Sequence, residues 1–349
     1  MRYKVFGRHS GLRVSEYVLG TANFGSAPSA TGLAGAKEIF EAYLGAGGTT
    51  FDVSNIYQGG EAETVLGNLM GRDRDDYVLI AKYGGSRQDH VRPGTTGNGR
   101  KIMVRSLEET LTRLGTDHVD VFMPHLPDGL TPMTEILAGL DDLVRAGKVR
   151  YGGLSNFPAW RVAGAVVRSE LNGRDLLAGI QTEFSLAERS AERELIPMAR
   201  AHGLGVVVYS PLAGGLLTGK YRRGETGRLS TRLADHGTAA DSADAVLDAV
   251  TSVAADLGTG PVQVALSWLR QRAEVAGTTM IPIIGPRTPA HLTGYLEALG
   301  VDLTTEHYRL LDEASTIRLG APHDAVADAL AHGTDGDRSR LDAAGAPAA

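Results

Sequence analysis

Residues 118–154 read HVDVFMPHLPDGLTPMTEILAGLDDLVRAGKVRYGGL and hold one complete unit of the fold. The run 118–123 is short, apolar and rich in β-formers, the pattern of a buried strand. A turn containing Pro and Gly follows. Residues 134–146 then place apolar side chains three and four apart with charges on the other face, an amphipathic helix. A second strand-like run, 149–154, closes the unit. Strand, helix and strand in that order imply parallel strands joined by a right-handed crossover.

Outward from this stretch the unit recurs. Strand-like runs occupy 17–20, 49–52, 77–82, 118–123, 149–154, 179–181, 205–209 and 280–284, with helical patterns such as 101–114 between them. Eight βα units in about 300 residues predict an α/β fold of the (β/α)8, or TIM-barrel, type. An open doubly wound sheet is disfavoured because no G-x-G-x-x-G follows any strand. Ahead of the repeat, 3–6 and 12–15 read as an N-terminal β-hairpin turned at HSG. Long loops are expected on the C-terminal face, above all a clasp or lid from Pro211 to about Ala240. Residues 1–319 are expected to form one barrel domain. Residues 320–349, rich in Ala, Gly and Asp, are expected to be a tail that frays or covers the barrel mouth.

Composition narrows the function. The chain has 349 residues, 35 Lys plus Arg against 41 Asp plus Glu, and a formal charge of −6 without a dense basic stripe, which argues against nucleic acid as a partner. There is no cysteine, so disulfides, a thiol nucleophile and thiolate metal sites are excluded, and no metal is expected. No apolar run approaches the ~20 residues that span a bilayer, and the N-terminus lacks a signal-like stretch. The expectation is a cytoplasmic protein without a membrane partner. No coiled-coil heptad marks an interface, and a homo-oligomer stays open.

In a barrel of this type the active site lies at the C-terminal ends of the strands. Those ends carry Asp52, Lys82, His125, Ser155 with Asn156, Gln181, Tyr209 and Gly285. Tyr57 follows Asp52 in the loop, close enough to turn back beside Lys82. An ammonium near a phenol favours the phenolate, which makes the tyrosine a better proton donor at neutral pH. Asp52 would hold Lys82 charged and aimed, and His125 can donate a hydrogen bond as a neutral imidazole.

Each feature also has a plainer reading. An isolated Asp–Lys pair is as readily a structural ion pair. Tyr209 could be a packed aromatic, and Ser155 and Asn156 could cap the helix that starts near Pro158. His90, His202, His236, His307, His323 and His332 read as surface or satisfied histidines, because only His125 ends a strand. GGLLTGKY at 214–221 fits G-x-x-x-x-G-K but ends in Tyr221, without the hydroxyl that a nucleotide triphosphatase places on magnesium. The segment 261–272, with Trp268, reads as core packing.

The sequence resembles the aldo-keto reductases from about Tyr3 to Ala314. The resemblance is carried by FDVSNIYQGGEAETVLG (51–67), VLIAKYG (78–84), DVFMPH (120–125), GLSNF (153–157), YSPLAGGLLTGKY (209–221) and IPIIGPRTPAHL (281–292). It implies a reductase that moves hydride from NADPH to the carbonyl of an aldehyde or ketone, including sugar or secondary-metabolite carbonyls. Asp52, Tyr57, Lys82 and His125 match the family's catalytic tetrad, with Tyr57 as general acid. For the cofactor, it implies Gly20 and Thr21 beside the first strand and Ser155, Asn156 and Gln181 on the carboxamide. Tyr209 would stack on the nicotinamide. Ser210, Leu212, Gly215 and Lys220 would lie across the pyrophosphate. Ile284, Gly285, Arg287, His291 and Tyr295 would lie at the adenosine phosphate.

The last loop departs from the family, whose members commonly carry Arg or Gln at the position of His291 and Asn at that of Tyr295. Arg287 keeps a guanidinium for a phosphate, which favours NADPH over NADH. The competing readings are an NAD-linked alcohol or sugar dehydrogenase on the same site and a cofactor-sensing regulatory subunit. The substrate pocket is expected to involve Phe24, Tyr83, the loop to Asn98 and Leu126.

Overall fold

The computed structural model describes residues 1–86, 91–92, 94–174, 177–225, 227 and 240–331. Eight parallel strands close into a barrel: β3 (Val18–Gly20), β4 (Thr50–Ser54), β5 (Val78–Tyr83), β6 (Val119–Pro124), β7 (Val149–Ser155), β8 (Gly179–Glu183), β9 (Gly205–Tyr209) and β10 (Met280–Ile284). β10 pairs with both β9 and β3 and seals the cylinder. The expected (β/α)8 barrel is therefore the observed one.

Helices α1 (Gly32–Gly45), α2 (Glu61–Met70), α3 (Arg100–Leu114), α4 (Met133–Arg145), α5 (Ala159–Leu171) and α6 (Leu195–Ala201) follow successive strands. After β9 come α7 (Ala240–Asp256) and α8 (Pro261–Val275); after β10 come α9 (Pro289–Glu297), α10 (Thr305–Ala314) and α11 (His323–Ala331). Among the described residues, no helix is long and apolar enough to cross a membrane.

Side chains alternate along a strand, so residues two apart share a face. On the inward face, Val18, Ile80, Val121, Met123, Val207, Ile281 and Ile283 fill the barrel with an apolar core. The outward residues Leu19, Phe51, Val53, Leu79 and Phe122 pack against the helical ring. The hairpin of β1 (Tyr3–Val5) and β2 (Arg13–Ser15) closes the N-terminal end, and Phe6 plugs it. Two glycines make room for that ring: a Cβ on Gly179 or Gly205 would stand 2.5 or 2.4 Å from it. With the bottom sealed and the middle apolar, the inward charged residues Asp52 and Lys82 lie toward the C-terminal ends of their strands.

Several boundaries differ from expectation. β4 runs to Ser54, two residues beyond the expected end at Asp52, because its ladder with β5 continues to the pair Ser54–Lys82. The tail is helical over His323–Ala331, where alanines dominate and Asp324 lies in the first turn, favourable to helix against the dipole. Residues 332–349 of that tail, part of the expected clasp (226 and 228–239), part of the loop after β5 (87–90 and 93), and His90, His236 and His332 lie outside the described residues. Trp268 and Leu269 are buried in the core, as their pattern predicts.

Candidate active site

The inward parity that builds the core delivers the site. Asp52 and Ser54 on β4, Lys82 two residues beyond Ile80, His125 two beyond Met123, Gln181 two beyond Gly179 and Tyr209 two beyond Val207 all continue the inward set. Asp52, Lys82 and Ser54 are 2%, 0% and 0% exposed. Lys82 makes a close ion pair with Asp52. Gln181 donates to the same carboxylate oxygen at 2.7 Å, and the Tyr57 hydroxyl donates to the other at 3.4 Å. One buried carboxylate on β4 thus gathers groups from two other strands and a turn. Lys82 Nζ also lies 5.1 Å from the centre of the Tyr57 ring.

Burial lowers the pKa of Lys82, and the adjacent Asp52 opposes that drop. Tyr57 enters from a 3-10 turn (Tyr57–Gly60) whose Gln58 has φ of 49° and donates to the Ala22 carbonyl at 2.8 Å. The turn is thereby tied to the loop after β3. His125 meets the Tyr57 ring edge-on at 6.0 Å between centroids. Its pKa is pushed down to about 4, first by burial and then by Lys82, so the imidazole is neutral at physiological pH.

Ser54 is absent from the sequence-derived candidates. Its hydroxyl lies 3.1 Å from His125 Nδ1. The signal was the period-two step from Asp52, hidden because the strand was expected to end there. Asn23 is a second addition: it is buried and its side chain donates to the Gly285 carbonyl at 3.3 Å, joining the loops that follow β3 and β10.

On the β7–β9 wall the polar atoms are partly committed. Asn156 donates to the His125 carbonyl and to Ser155 Oγ, each at 3.0 Å, and accepts from the Tyr209 hydroxyl at 2.9 Å. What this leaves is specific: further acceptor capacity on Asn156 Oδ1 and Gln181 Oε1, and the donor hydrogen of Ser155. Two acceptors and one donor complement a primary carboxamide, which offers two N–H groups and one carbonyl. The residues therefore fit a nicotinamide. The capping reading fails, because α5 starts after Pro158 without a side-chain cap and Ser155 lies inside β7.

Backbone strain marks the same rim. Among the described residues, the non-glycine positions with positive φ are Gln58 (49°), Asn156 (61°), Ser210 (55°) and Ala213 (48°), all in loops on the C-terminal face. Such geometry costs on the order of 1–3 kcal/mol each and persists where surroundings impose it. After β9, Leu212 is buried and its carbonyl accepts from Gly215 and Leu217. Gly215 has φ of 98°, and a Cβ there would stand 2.7 Å from Lys220 Cε, so glycine lets the lysine lie across the turn.

Lys220, Arg287 and His291 converge at the outer end of the cleft. The His291 pKa is lowered by partial burial, then by the charges of Lys220 and Arg287. The Arg287 N–H donates to His291 Nδ1 at 3.4 Å, and Thr288 caps α9 by accepting from the His291 N–H at 3.2 Å.

A model of the aldo/keto reductase family matches residues 16–316. The chain belongs to that family. It is 35% identical over 322 residues to an uncharacterized oxidoreductase, YrpG, of Bacillus subtilis, covering 90% of this chain and 95% of the relative. It is 32% identical over 343 residues to norsolorinic acid reductase B of Aspergillus parasiticus, covering 92% and 86%. Over 344 residues it is 29% identical to a putative aryl-alcohol dehydrogenase, AAD14, of Saccharomyces cerevisiae, covering 94% and 90%. It is an oxidoreductase of a family that works with nicotinamide cofactors and small-molecule substrates.

Within this aldo/keto reductase, the structure gathers Asp52, Tyr57, Lys82, His125 and Gln181 into one network and joins Asn156, Ser155 and Tyr209 in a second. Thr21 touches the first through its hydroxyl, which donates to the Asp52 carbonyl at 2.9 Å. Gly20 lies against β10, where a Cβ would stand 2.7 Å from Ile283. Other candidates belong to the apolar core or pack against it. Ile284 and Leu212 are core residues, and Tyr295 packs against the same core. Phe24 and Tyr83, expected in the substrate pocket, are fully buried, and Tyr83 stacks on Phe122 at 4.8 Å. The inward parity passes over Tyr83, which is odd-numbered beside Lys82, so it points to the helices. Among the described residues no cluster of His and carboxylates could hold a metal ion.

Proposed function

We propose that this chain is an NADPH-dependent reductase of aldehydes or ketones in which Asp52, Tyr57, Lys82 and His125 carry the chemistry. The observation that carries the reading is the buried Asp52 carboxylate, paired with Lys82 and hydrogen-bonded by Tyr57 and Gln181. A bare structural ion pair has no need of a phenol and an imidazole on its open side.

When bound, a reduced nicotinamide supplies hydride to the carbonyl carbon. The carbonyl oxygen lies between Tyr57 and His125: Tyr57 gives up its proton to it, and neutral His125 donates a hydrogen bond. Lys82, held by Asp52, stabilises the phenolate that Tyr57 becomes. Asn156, Gln181 and Ser155 would hold the carboxamide through the groups left open, and Tyr209 would stack on the nicotinamide ring. Ser210, Gly215 and Lys220 would hold the pyrophosphate. Lys220, Arg287 and His291 offer charge for the adenosine phosphate, which supports NADPH over NADH. Residues 1–319 act as one catalytic domain.

The mouth supports one substrate class. Leu126, next to His125 in the chain, is exposed, as is Leu130 on a turn whose backbone N–H groups at 130 and 131 are held by Asp128. A rigid apolar shelf suits an aryl or other bulky apolar carbonyl, in keeping with relatives named for norsolorinic acid and aryl alcohols.

Two measurements test this. Quenching of protein fluorescence by NADPH and by NADH gives both affinities, and micromolar NADPH binding at least tenfold tighter than NADH is expected. Turnover of aryl aldehydes by Tyr57→Phe should fall by about 10² to 10⁴, the usual worth of a general acid. Unchanged turnover would remove Tyr57 from the mechanism.

A further inference from the structure

We propose that Ser54 is a positioning residue that fixes His125 as the tautomer with its proton on Nε2, making it an obligate hydrogen-bond donor toward the substrate oxygen. The inference rests on the functional reading above and names the group that sets the polarity of one of its members.

His125 is neutral, so one ring nitrogen carries a proton and the other accepts. Ser54 Oγ faces Nδ1 at 3.1 Å. If Nδ1 carried the proton and donated to Ser54, the hydroxyl hydrogen would need a different acceptor. Ser54 is 0% exposed, and among the described residues its hydroxyl has no other hydrogen-bond partner. That arrangement buries an orphaned donor, a costly outcome. With the hydroxyl donating to Nδ1, every hydrogen is used and Nε2–H remains for the cleft.

The location of Ser54 makes the restraint stiff. It ends β4, its backbone is paired with Lys82 on β5, and it shares the inward face with Asp52. The His125 backbone N–H donates to the Tyr83 carbonyl at 2.8 Å, and its carbonyl accepts from Asn156. One end of the contact is therefore mounted on β4, and the other is the residue that directly follows β6. A ring flip would swap Nδ1 for carbon and forfeit the serine bond.

Long-range proton–nitrogen NMR of nucleotide-free protein, labelled at histidine with nitrogen-15 and assigned with His125→Gln, reads the tautomer directly. The wild type should show the proton on Nε2. In Ser54→Ala the Nδ1–H form should become detectable, and kcat/KM for an aryl aldehyde should fall about tenfold while the NADPH Kd stays within about twofold. Ser54→Thr keeps the hydroxyl and should restore both the tautomer and most of the rate. A wild-type spectrum with the proton on Nδ1, or an unaltered tautomer in Ser54→Ala, overturns the proposal. The spectrum is taken without nucleotide, so it stands or falls separately from the Tyr57→Phe test of the reductase reading.

Discussion

The two ends of the cleft are built by different rules. At the inner end, Asp52, Ser54, Lys82 and Gln181 are mounted on strands, almost fully buried and held by one another. At the outer end, Lys220, Arg287 and His291 come from loops and the first turn of a helix, and like charges face like charges. Buried charges must be paired to exist at all, whereas exposed charges can wait unpaired for a ligand. The inner end is thus stable before anything binds. On the proposed reading, an anion bound at the outer end relieves its repulsion.

The sharpest way to break that contrast is to unpair the inner end. Lys82→Met keeps the length of the side chain and leaves the Asp52 carboxylate buried without its cation. Loss of one partner from a buried pair commonly costs about 3–5 kcal/mol, and denaturant unfolding should show a loss of that size together with loss of turnover. Adding Asp52→Asn should recover part of the stability and none of the turnover. If Lys82→Met unfolds like the wild type, the inner end is not held together by its charges.

The same contrast explains what could be read in the sequence. The barrel was legible because apolar runs and amphipathic stretches alternate eight times, and period-two parity then aims Asp52, Lys82, His125, Gln181 and Tyr209 at one mouth. Ser54 was not, because the end of a strand is set by its neighbour's ladder and not by its own residues. Tyr83 and Phe24 were misread because adjacency in sequence to Lys82 or to the first strand does not say which side of the sheet a ring takes. At the outer end the residue types were evident, but no periodicity relates Lys220 to His291 across loops of irregular length.

A milder test addresses the outer end. Arg287→Met removes a fork of donors without disturbing a strand, so stability should change little. The NADPH Kd should rise about 10- to 100-fold, the worth of one or two charge-assisted hydrogen bonds, while the NADH Kd moves less than about threefold. Isothermal titration of each nucleotide separates the cases. Equal losses for both would relocate Arg287 from the extra phosphate to the pyrophosphate they share.

The smallest expected effect is the most specific to this chain. In the nucleotide-free protein His291 is held below its ordinary pKa by partial burial and then by Lys220 and Arg287, so it is mostly neutral at pH 7. A bound phosphate dianion reverses those signs and favours the imidazolium, so NADPH binding takes up a proton. By linkage, the His291 contribution is fully present below its nucleotide-free pKa and is lost as pH rises through the higher pKa of the complex. NADPH affinity relative to NADH should therefore weaken severalfold between about pH 6 and pH 8. The phosphate's own second ionisation, near pH 6, acts in the opposite sense, since it adds charge as pH rises. His291→Gln separates the two: the glutamine retains hydrogen bonding but cannot titrate, so only the phosphate's trend should remain, with NADPH affinity level or rising with pH. If the wild type and His291→Gln give superimposable profiles, His291 stays neutral in the complex, and Lys220 and Arg287 alone carry the charge at the outer end.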